Sequence, residues 1–261
     1  MTGANEPLPL GLQLYTLNDQ LAADFTGTLA KVAKIGFGSV ELAGFHGRDA
    51  SQIACALADA GLICRSAHIP AQSMGDGPSL DGDLDVLADA MHVIGVDTVV
   101  LPAFPIPPRL RVADMTMDAF RAIGTAMTQA DWRATADFLN DKGQALASRS
   151  LRIGYHNHNF EFAPLGDGTA MDFLLASTDP ATVSFEMDVG WVVAAGLAAL
   201  DLLDTHPGRF IMVHIKDILS STQPNVRLEQ EPADLGDGAI SLRPDRADTH
   251  KHDSRSLEER R

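Results

Sequence analysis

Short apolar runs alternate along the chain with longer stretches of helical spacing. Seven runs read as strands: Leu10–Leu14, Ser39–Leu42, Cys64–Ile69, Thr98–Pro102, Leu151–His158, Val183–Val189 and Phe210–Lys216. Between them, Phe25–Ile35 repeats Phe25, Leu29, Val32 and Ala33 at helical intervals. The Ala-rich Ala50–Ala60 ends at Gly61, a residue suited to the left-handed turn that stops a helix. Leu80–Ile94, the long Met117–Ser148, Ala170–Ser177 and Leu197–Thr205 continue the helical pattern, the last ended by Pro207-Gly208. Strand–helix alternation of this kind predicts a parallel sheet. No GxGxxG follows the first strand and no GxxxxGK(S/T) occurs, which favours a closed TIM-type (β/α) barrel over a doubly wound sheet.

Buried parallel strands normally read as continuous apolar runs. The late strands here are interrupted at period two. Arg152, Gly154, His156 and His158 share one face of the fifth, against Leu151, Ile153 and Tyr155. Glu186 and Asp188 oppose Phe185, Met187 and Val189; Met212, His214 and Lys216 oppose Ile211, Val213 and Ile215. The apolar faces are expected to pack on outer helices and the polar faces to point into the barrel. The polar groups gather toward the C-terminal strand ends, where barrels of this class carry their chemistry.

Length and composition fit this picture. With 261 residues, 45% hydrophobic and 21% charged, the chain is large enough for one barrel with a sizeable core. The formal net charge of −15 argues against a nucleic-acid partner, since tracking a phosphate backbone needs clustered Lys and Arg. A small or metal-held ligand suits it better. Cys55 and Cys64 lie in apolar stretches without a CxxC partner and are expected to be reduced core residues of a cytoplasmic protein. Met1–Pro9 lacks the basic and apolar regions of a secretory signal, and no apolar run reaches the ~20 residues a membrane span requires.

Three runs carry the candidate chemistry: Tyr155-His156-Asn157-His158-Asn159-Phe160-Glu161-Phe162, Phe185-Glu186-Met187-Asp188-Val189-Gly190-Trp191 and Val213-His214-Ile215-Lys216-Asp217. A single inward His is usually a hydrogen-bonded core residue. Three consecutive strands ending in His, Asp or Glu are a different matter, because each such group buried without a partner costs several kcal/mol. A divalent cation accepts imidazole nitrogen and carboxylate oxygen together; a metal-free polar network is the competing reading.

These runs resemble the sugar phosphate isomerase/epimerase family of the xylose-isomerase-like barrels. Gly11-Leu12-Gln13-Leu14-Tyr15-Thr16 resembles that family's first strand, Ser39-Val40-Glu41-Leu42-Ala43-Gly44 the second and Ser66-Ala67-His68 the third. YHNHNFEF, MDVGW and HIKD resemble the fifth, sixth and seventh, so the likeness spans roughly residues 9 to 240. It implies a divalent metal (Mn2+, Mg2+, Co2+ or Zn2+) held by His156, Asp188 and His214. His156 stands where relatives often carry Glu, and His158 is a substitute ligand or a substrate contact. It further implies a catalytic set of Glu161, His158 and Lys216, and a pocket for a sugar lined by Gln13, Glu41, His68 and Trp191. The activity implied is metal-assisted isomerisation or epimerisation of a sugar or keto-sugar through an enediolate. Keto-glycoside lyase or sugar dehydratase chemistry on the same site, and a catalytically impaired binding relative, stand as alternatives. The superfamily's apurinic-site nucleases need a further His three residues after the sixth-strand Asp, and here that residue is Trp191.

The pattern breaks at the C-terminus. The family's last strand should carry a Glu that is both ligand and base. Ser241–Arg261 holds 11 charged residues among 21 and only Leu242, Ala247 and Leu257 from the hydrophobic set. It reads as an exposed or disordered charged tail following a barrel over residues 1–240. Neither Glu258 nor Glu259 sits in an apolar run, and His250 and His252 are expected to face solvent. The expectation is a seven-stranded barrel with an open seam, covered by the tail or by a second subunit of a homo-oligomer.

Overall fold

The structure is a computed structural model that describes residues 10–240, apart from Met74 and Asp76. Within it seven strands pair in parallel and in chain order: β1 (Gly11–Gln13), β2 (Ser39–Ala43), β3 (Ile63–His68), β4 (Thr98–Leu101), β5 (Arg152–His156), β6 (Val183–Asp188) and β7 (Phe210–His214). The sheet curls into an incomplete TIM-type barrel. Its edges are β1 and β7, which do not pair with each other among the described residues. The seven-stranded architecture is therefore as the sequence predicted, with the seam between first and seventh strands.

The helices are α1 (Asn18–Ala23), α2 (Phe25–Ile35), α3 (Ala50–Ala60), α4 (Leu84–Ile94), α5 (Met117–Thr125), α6 (Gln129–Ala147), α7 (Ala170–Ser177), α8 (Val189–Ala194) and α9 (Ala199–Thr205). Local chemistry sets their ends. Asp49 and Gln52 form a capping box at the start of α3, and Gly61 ends it in the left-handed conformation at φ 70°, which removes the side-chain penalty a β-carbon would bring. Thr128 with Asp131, and Thr169 with Asp172, form the same box on α6 and α7. The first of these explains why the single helical stretch expected over Met117–Ser148 divides in two: Thr128 begins a new helix.

The β6 strand is also shorter than its apolar run. Asp188 accepts a hydrogen bond from the Trp191 amide and so starts α8 at Val189, where the apolar run alone predicts the end of a strand. Cys64 is buried as expected, but Cys55 is exposed. On α3 the buried face is Ile53, Ala56 and Leu57, and Cys55 points away from it.

The core lies between the sheet and its helices. Ile153, Tyr155, Phe185 and Met187 are fully buried on the outer face of β5 and β6, as the period-two reading required. The outer face of β7 departs from that expectation: Ile211, Val213 and Ile215 are 40%, 39% and 47% exposed. Helix α9 contributes no fully buried residue. After β7 the chain returns through a two-residue ladder, Asp217–Ile218 with Pro232–Ala233. Asp217 then accepts amide hydrogen bonds from Ile218, Gly236, Gly238 and Ile240, tying the end of the described chain beside β7. The charged stretch 241–261, with His250, His252, Glu258 and Glu259, lies outside the described residues. No helix among the described residues is long and apolar enough to cross a membrane.

Candidate metal centre and surrounding site

Parallel register brings the polar inner faces level with one another. Ala43 pairs with His68, His156 with Glu186, and Asp188 with His214. The result is a compact group at the C-terminal strand ends. Glu186 Oε2 lies 2.8 Å from His68 Nε2 and 3.0 Å from His156 Nδ1, and its Oε1 lies 3.1 Å from His214 Nε2. Glu41 Oε1 lies 3.0 Å from Nε2 of both His68 and His214, while its Oε2 accepts from the Ser66 hydroxyl at 2.7 Å. Gln13 Nε2 lies 3.4 Å from His68 Nδ1. His68, His156, Glu186 and His214 each offer one ligand atom, all within 4.8 Å of one another.

Electrostatics follow from burial and pairing. Burial alone would lower the pKa of His68 and of His214, but the two carboxylates outweigh it and raise them to about 9 and about 10. Burial alone would raise Glu186 and Glu41, and the imidazoles instead hold both below the usual carboxylate range. His156 is lowered, by burial and then by the neighbouring His68 charge despite its bond to Glu186. Two protonated imidazoles thus balance two carboxylates. Glu186 Oε1 is nonetheless buried without a hydrogen bond of acceptable geometry, as is His158 Nδ1 nearby.

The residues expected from the sequence distribute unevenly around this group. His156 and His214 are in it. Asp188 is beside it: Oδ1 caps α8, and Oδ2 is 4.0 Å from His156 Nε2. Gln13, Glu41 and His68 come together as a set from the early strands. Trp191 is buried next to Lys216, whose Nζ sits 4.7 Å over the indole, a cation–π arrangement. His158 packs between them and the cluster, 5.6 Å from Trp191 and 5.1 Å from His156 between ring centroids. Burial and the nearby cations hold its pKa well below the ordinary value. Glu161 is fully buried. Its Oε1 accepts from Tyr155 Oη at 2.6 Å and its Oε2 from the His158 amide at 3.0 Å. Burial raises its pKa to about 7.

Sequence reasoning assigned no role to Glu186, although it noted its face. It also passed over Asn157 and Asn159. Asn157 bridges β5 and β6, its Oδ1 accepting from the Asp188 amide at 3.0 Å. Asn159 donates to the Asn225 carbonyl and side chain and accepts from the Leu228 amide, pinning the 219–231 loop across the strand ends. The available signal was their place inside the YHNHNFEF run.

A cavity of about 370 Å³ opens next to the cluster, lined by Asn18, Gly44, Phe45, His68 and Pro70 among others. His68 belongs to both. A larger hollow of about 520 Å³ between α2 and α3, lined by Thr26, Arg48, Gln52 and Asp59 among others, contains none of the cluster residues.

Comparison with solved structures gives a sugar phosphate isomerase/epimerase from Parabacteroides distasonis at TM-score 0.65 and 24% identity, over 85% of this chain and 81% of that one. A xylose isomerase domain protein from Alicyclobacillus acidocaldarius superposes at TM-score 0.55 and 17% identity, over 89% and 81%. The chain has the xylose isomerase-like barrel fold. The resemblance carried by the strand-end motifs thus holds at the level of the fold. Among curated proteins, an inosose dehydratase from Geobacillus thermodenitrificans is 31% identical over 131 residues, 45% of this chain and 42% of that relative. The match therefore spans less than half the length of that relative. No family model matches the chain.

Proposed function

We propose that this chain is a metal-dependent enzyme that moves a proton next to the carbonyl of a sugar or keto-sugar, as an isomerase or epimerase. The observation that supports this reading most is the meeting of three imidazoles and Glu186 at the C-terminal ends of β3, β5, β6 and β7, the end of a barrel where chemistry is built. The donor set fits a divalent ion, since imidazole nitrogen and carboxylate oxygen are joined there to a buried carboxylate oxygen left without a hydrogen bond. A divalent ion at this site would act as a Lewis acid on a bound carbonyl, acidifying the adjacent C–H.

The chain's own groups supply the rest. The neutral imidazole of His158, held by Trp191 and anchored through its amide by Glu161, is the base we assign to accept the carbon-bound proton. Lys216, fixed over Trp191, supplies a positive charge for the oxygen that becomes electron-rich. Glu161 acts through His158 and not on the substrate, because both its oxygens are taken by Tyr155 and His158. Asn18 and Gly44 line the cavity where a polyhydroxylated substrate would lie.

A second reading is dehydration, in which the same abstracted proton is followed by loss of a β-hydroxyl. It is favoured by the inosose dehydratase match. The test is to load the protein with metal and follow solvent deuterium entering ketoses, keto-glycosides and inososes. Deuterium uptake with the carbon skeleton and its oxygens retained supports isomerisation or epimerisation, and release of water or an aglycone supports elimination. Metal bound with no exchange on any substrate would overturn both in favour of binding alone.

A further inference from the structure

We infer that Asn159 is a positioning residue for the proton transfer: it latches the 219–231 loop, and the latched loop holds Trp191 against His158. The inference rests on the assignment of His158 as the base and extends it to a loop outside the metal cluster.

His158 depends on its surroundings for its direction. Among the described residues its Nδ1 is buried without a hydrogen-bond partner, so the ring points where packing sends it. The aromatic walls are Phe120, Phe160 and Trp191, at 5.9, 6.3 and 5.6 Å between ring centroids. The backbone is fixed more firmly: the His158 amide donates to Glu161 at 3.0 Å, and its carbonyl accepts from Asn157 Nδ2 at 3.1 Å. Trp191 belongs to a separate element, α8. The start of α8 is tied to the end of β5 through Asn157 and the Asp188 amide. Its far end needs a tie of its own.

The 219–231 loop supplies it. The loop leaves and rejoins the body through the two-residue ladder Asp217–Ile218 with Pro232–Ala233. On one side it rests on the end of α8. The Asn225 amide donates to the Ala194 carbonyl at 2.8 Å, and Pro224 lies so near Gly196 that a β-carbon there would come within 3.0 Å of it. On the other side it is hooked by Asn159, which is fully buried. Asn159 Nδ2 donates to the Asn225 carbonyl and Oδ1 at 3.1 and 3.0 Å, and Asn159 Oδ1 accepts from the Leu228 amide at 2.8 Å. Asn225 passes the hold along the loop, accepting from the Arg227 and Glu229 amides and donating to the Gln223 and Glu229 carbonyls. Leu228 is drawn into the core at 5% exposure with a left-handed backbone, φ 60°. A bulky residue keeps that conformation only where its surroundings enforce it. One buried amide side chain thus holds the loop closed against backbone strain, and both its polar atoms are spent on the task.

The test uses the full chain with Trp132→Phe, which leaves Trp191 as its one indole. Asn159→Ala and, separately, Asn225→Ala are added. Asn225 lies in the surface loop, so its variant decides the matter if the buried change does not fold. Each variant should lower the hydrogen-exchange protection of loop amides by roughly 10-fold or more while β3 and β4 keep theirs. Acrylamide quenching of Trp191 should rise at least twofold. In the deuterium-exchange assay kcat should fall by about 10–100-fold with KM nearly constant, because misplacing a reacting group by about 1 Å costs rate. The double variant should be no worse than the worse single one, since both changes undo one latch. Loss of loop protection with Trp191 quenching and kcat unchanged would overturn the inference and leave Asn159 a local support. A rise in KM at constant kcat would overturn it too, because the loop would then bind substrate. Unchanged protection in both variants would show that there is no latch. Failure of the functional reading looks different: with no deuterium entering any substrate the base assignment falls, and its positioning with it, while exchange protection and Trp191 quenching still decide whether the latch holds α8.

Discussion

Glu161 offers a quantitative test of how the site is held. Its carboxyl is fully buried, accepts one hydrogen bond from Tyr155 and one from the His158 amide, and ionises at about 7 against an ordinary 4.5. Burial is the main cause, and the two hydrogen bonds only partly offset it. The carboxyl is a weaker acid in the folded state, so the unfolded chain loses this proton first as pH rises. Stability is unaffected by the group below about pH 4.5, falls between 4.5 and 7, and stays reduced above. A shift of this size corresponds to about 3 kcal/mol at the high-pH plateau. Glu161→Gln removes the titration. Its amide keeps one acceptor and sets an N–H group against a donor, a fixed cost of about 1–3 kcal/mol that does not depend on pH. The two proteins should therefore differ in slope. Between pH 5 and 8.5 the unfolding free energy from urea melts should move by about 2–3 kcal/mol in favour of the variant relative to the unaltered chain. Parallel curves across that range would show that Glu161 ionises normally and would remove the basis for calling it a buried support of His158.

The other expectations are simpler. Ile153→Ala should cost about 2–5 kcal/mol, because Ile153 is fully buried; Ile211→Ala, on the uncovered face of β7, should cost only about 0.5 kcal/mol, and equal losses in denaturant melts would mean that something covers that face. Asp217→Ala removes the acceptor of four backbone amides and should strip hydrogen-exchange protection from 234–240 while leaving β5 protected; unchanged exchange there would show that the amides find other partners. Zn2+ at about 100 times its dissociation constant should add about 2.7 kcal/mol of stability, read as a rise in melting temperature reversed by chelation, and no rise would argue that the cluster is a metal-free network.

The fold was legible because its signals are local and repeated. Seven apolar runs separated by helical spacing already required a parallel sheet, and period-two interruptions in the fifth to seventh strands named the inward faces. Three things were not legible. A two-residue break before Thr128 cannot be read from hydrophobic spacing that continues across it, since only the capping box marks the new helix. The apolar stretch Val189–Ala194 is buried nearly all round, so periodicity alone could not separate it from strand. Cys55 sits in an Ala-rich helix whose small residues blur which side is buried. The site was half legible for a related reason. Motif position pointed to Asp188, whereas the side chains that meet within 4.8 Å of one another include Glu186, a placement that depends on strand register and on the helix cap that Asp188 forms. Neither is written in the local sequence.

That last point bears on how a barrel with an open seam would keep a metal centre. The resemblance assigns one ligand to the strand after the seventh, and among the described residues the sheet ends at β7. A centre built on the late strands alone would then have only the residues of β5, β6 and β7. The sheet's curvature brings a different partner within reach: β3 faces β6 and β7 across the interior, close enough for the His68 and His214 rings to stack at 5.7 Å between centroids. A ligand from β3 is independent of the seam, because β3 is hydrogen-bonded on both sides by β2 and β4. Its position should be as rigid as the core. The seam and the metal centre would on this view be decoupled. Closing the seam with an added strand should then raise the melting temperature and leave Co2+ affinity and spectrum unchanged, whereas a centre that needs an eighth-strand carboxylate should tighten as the strand is restored.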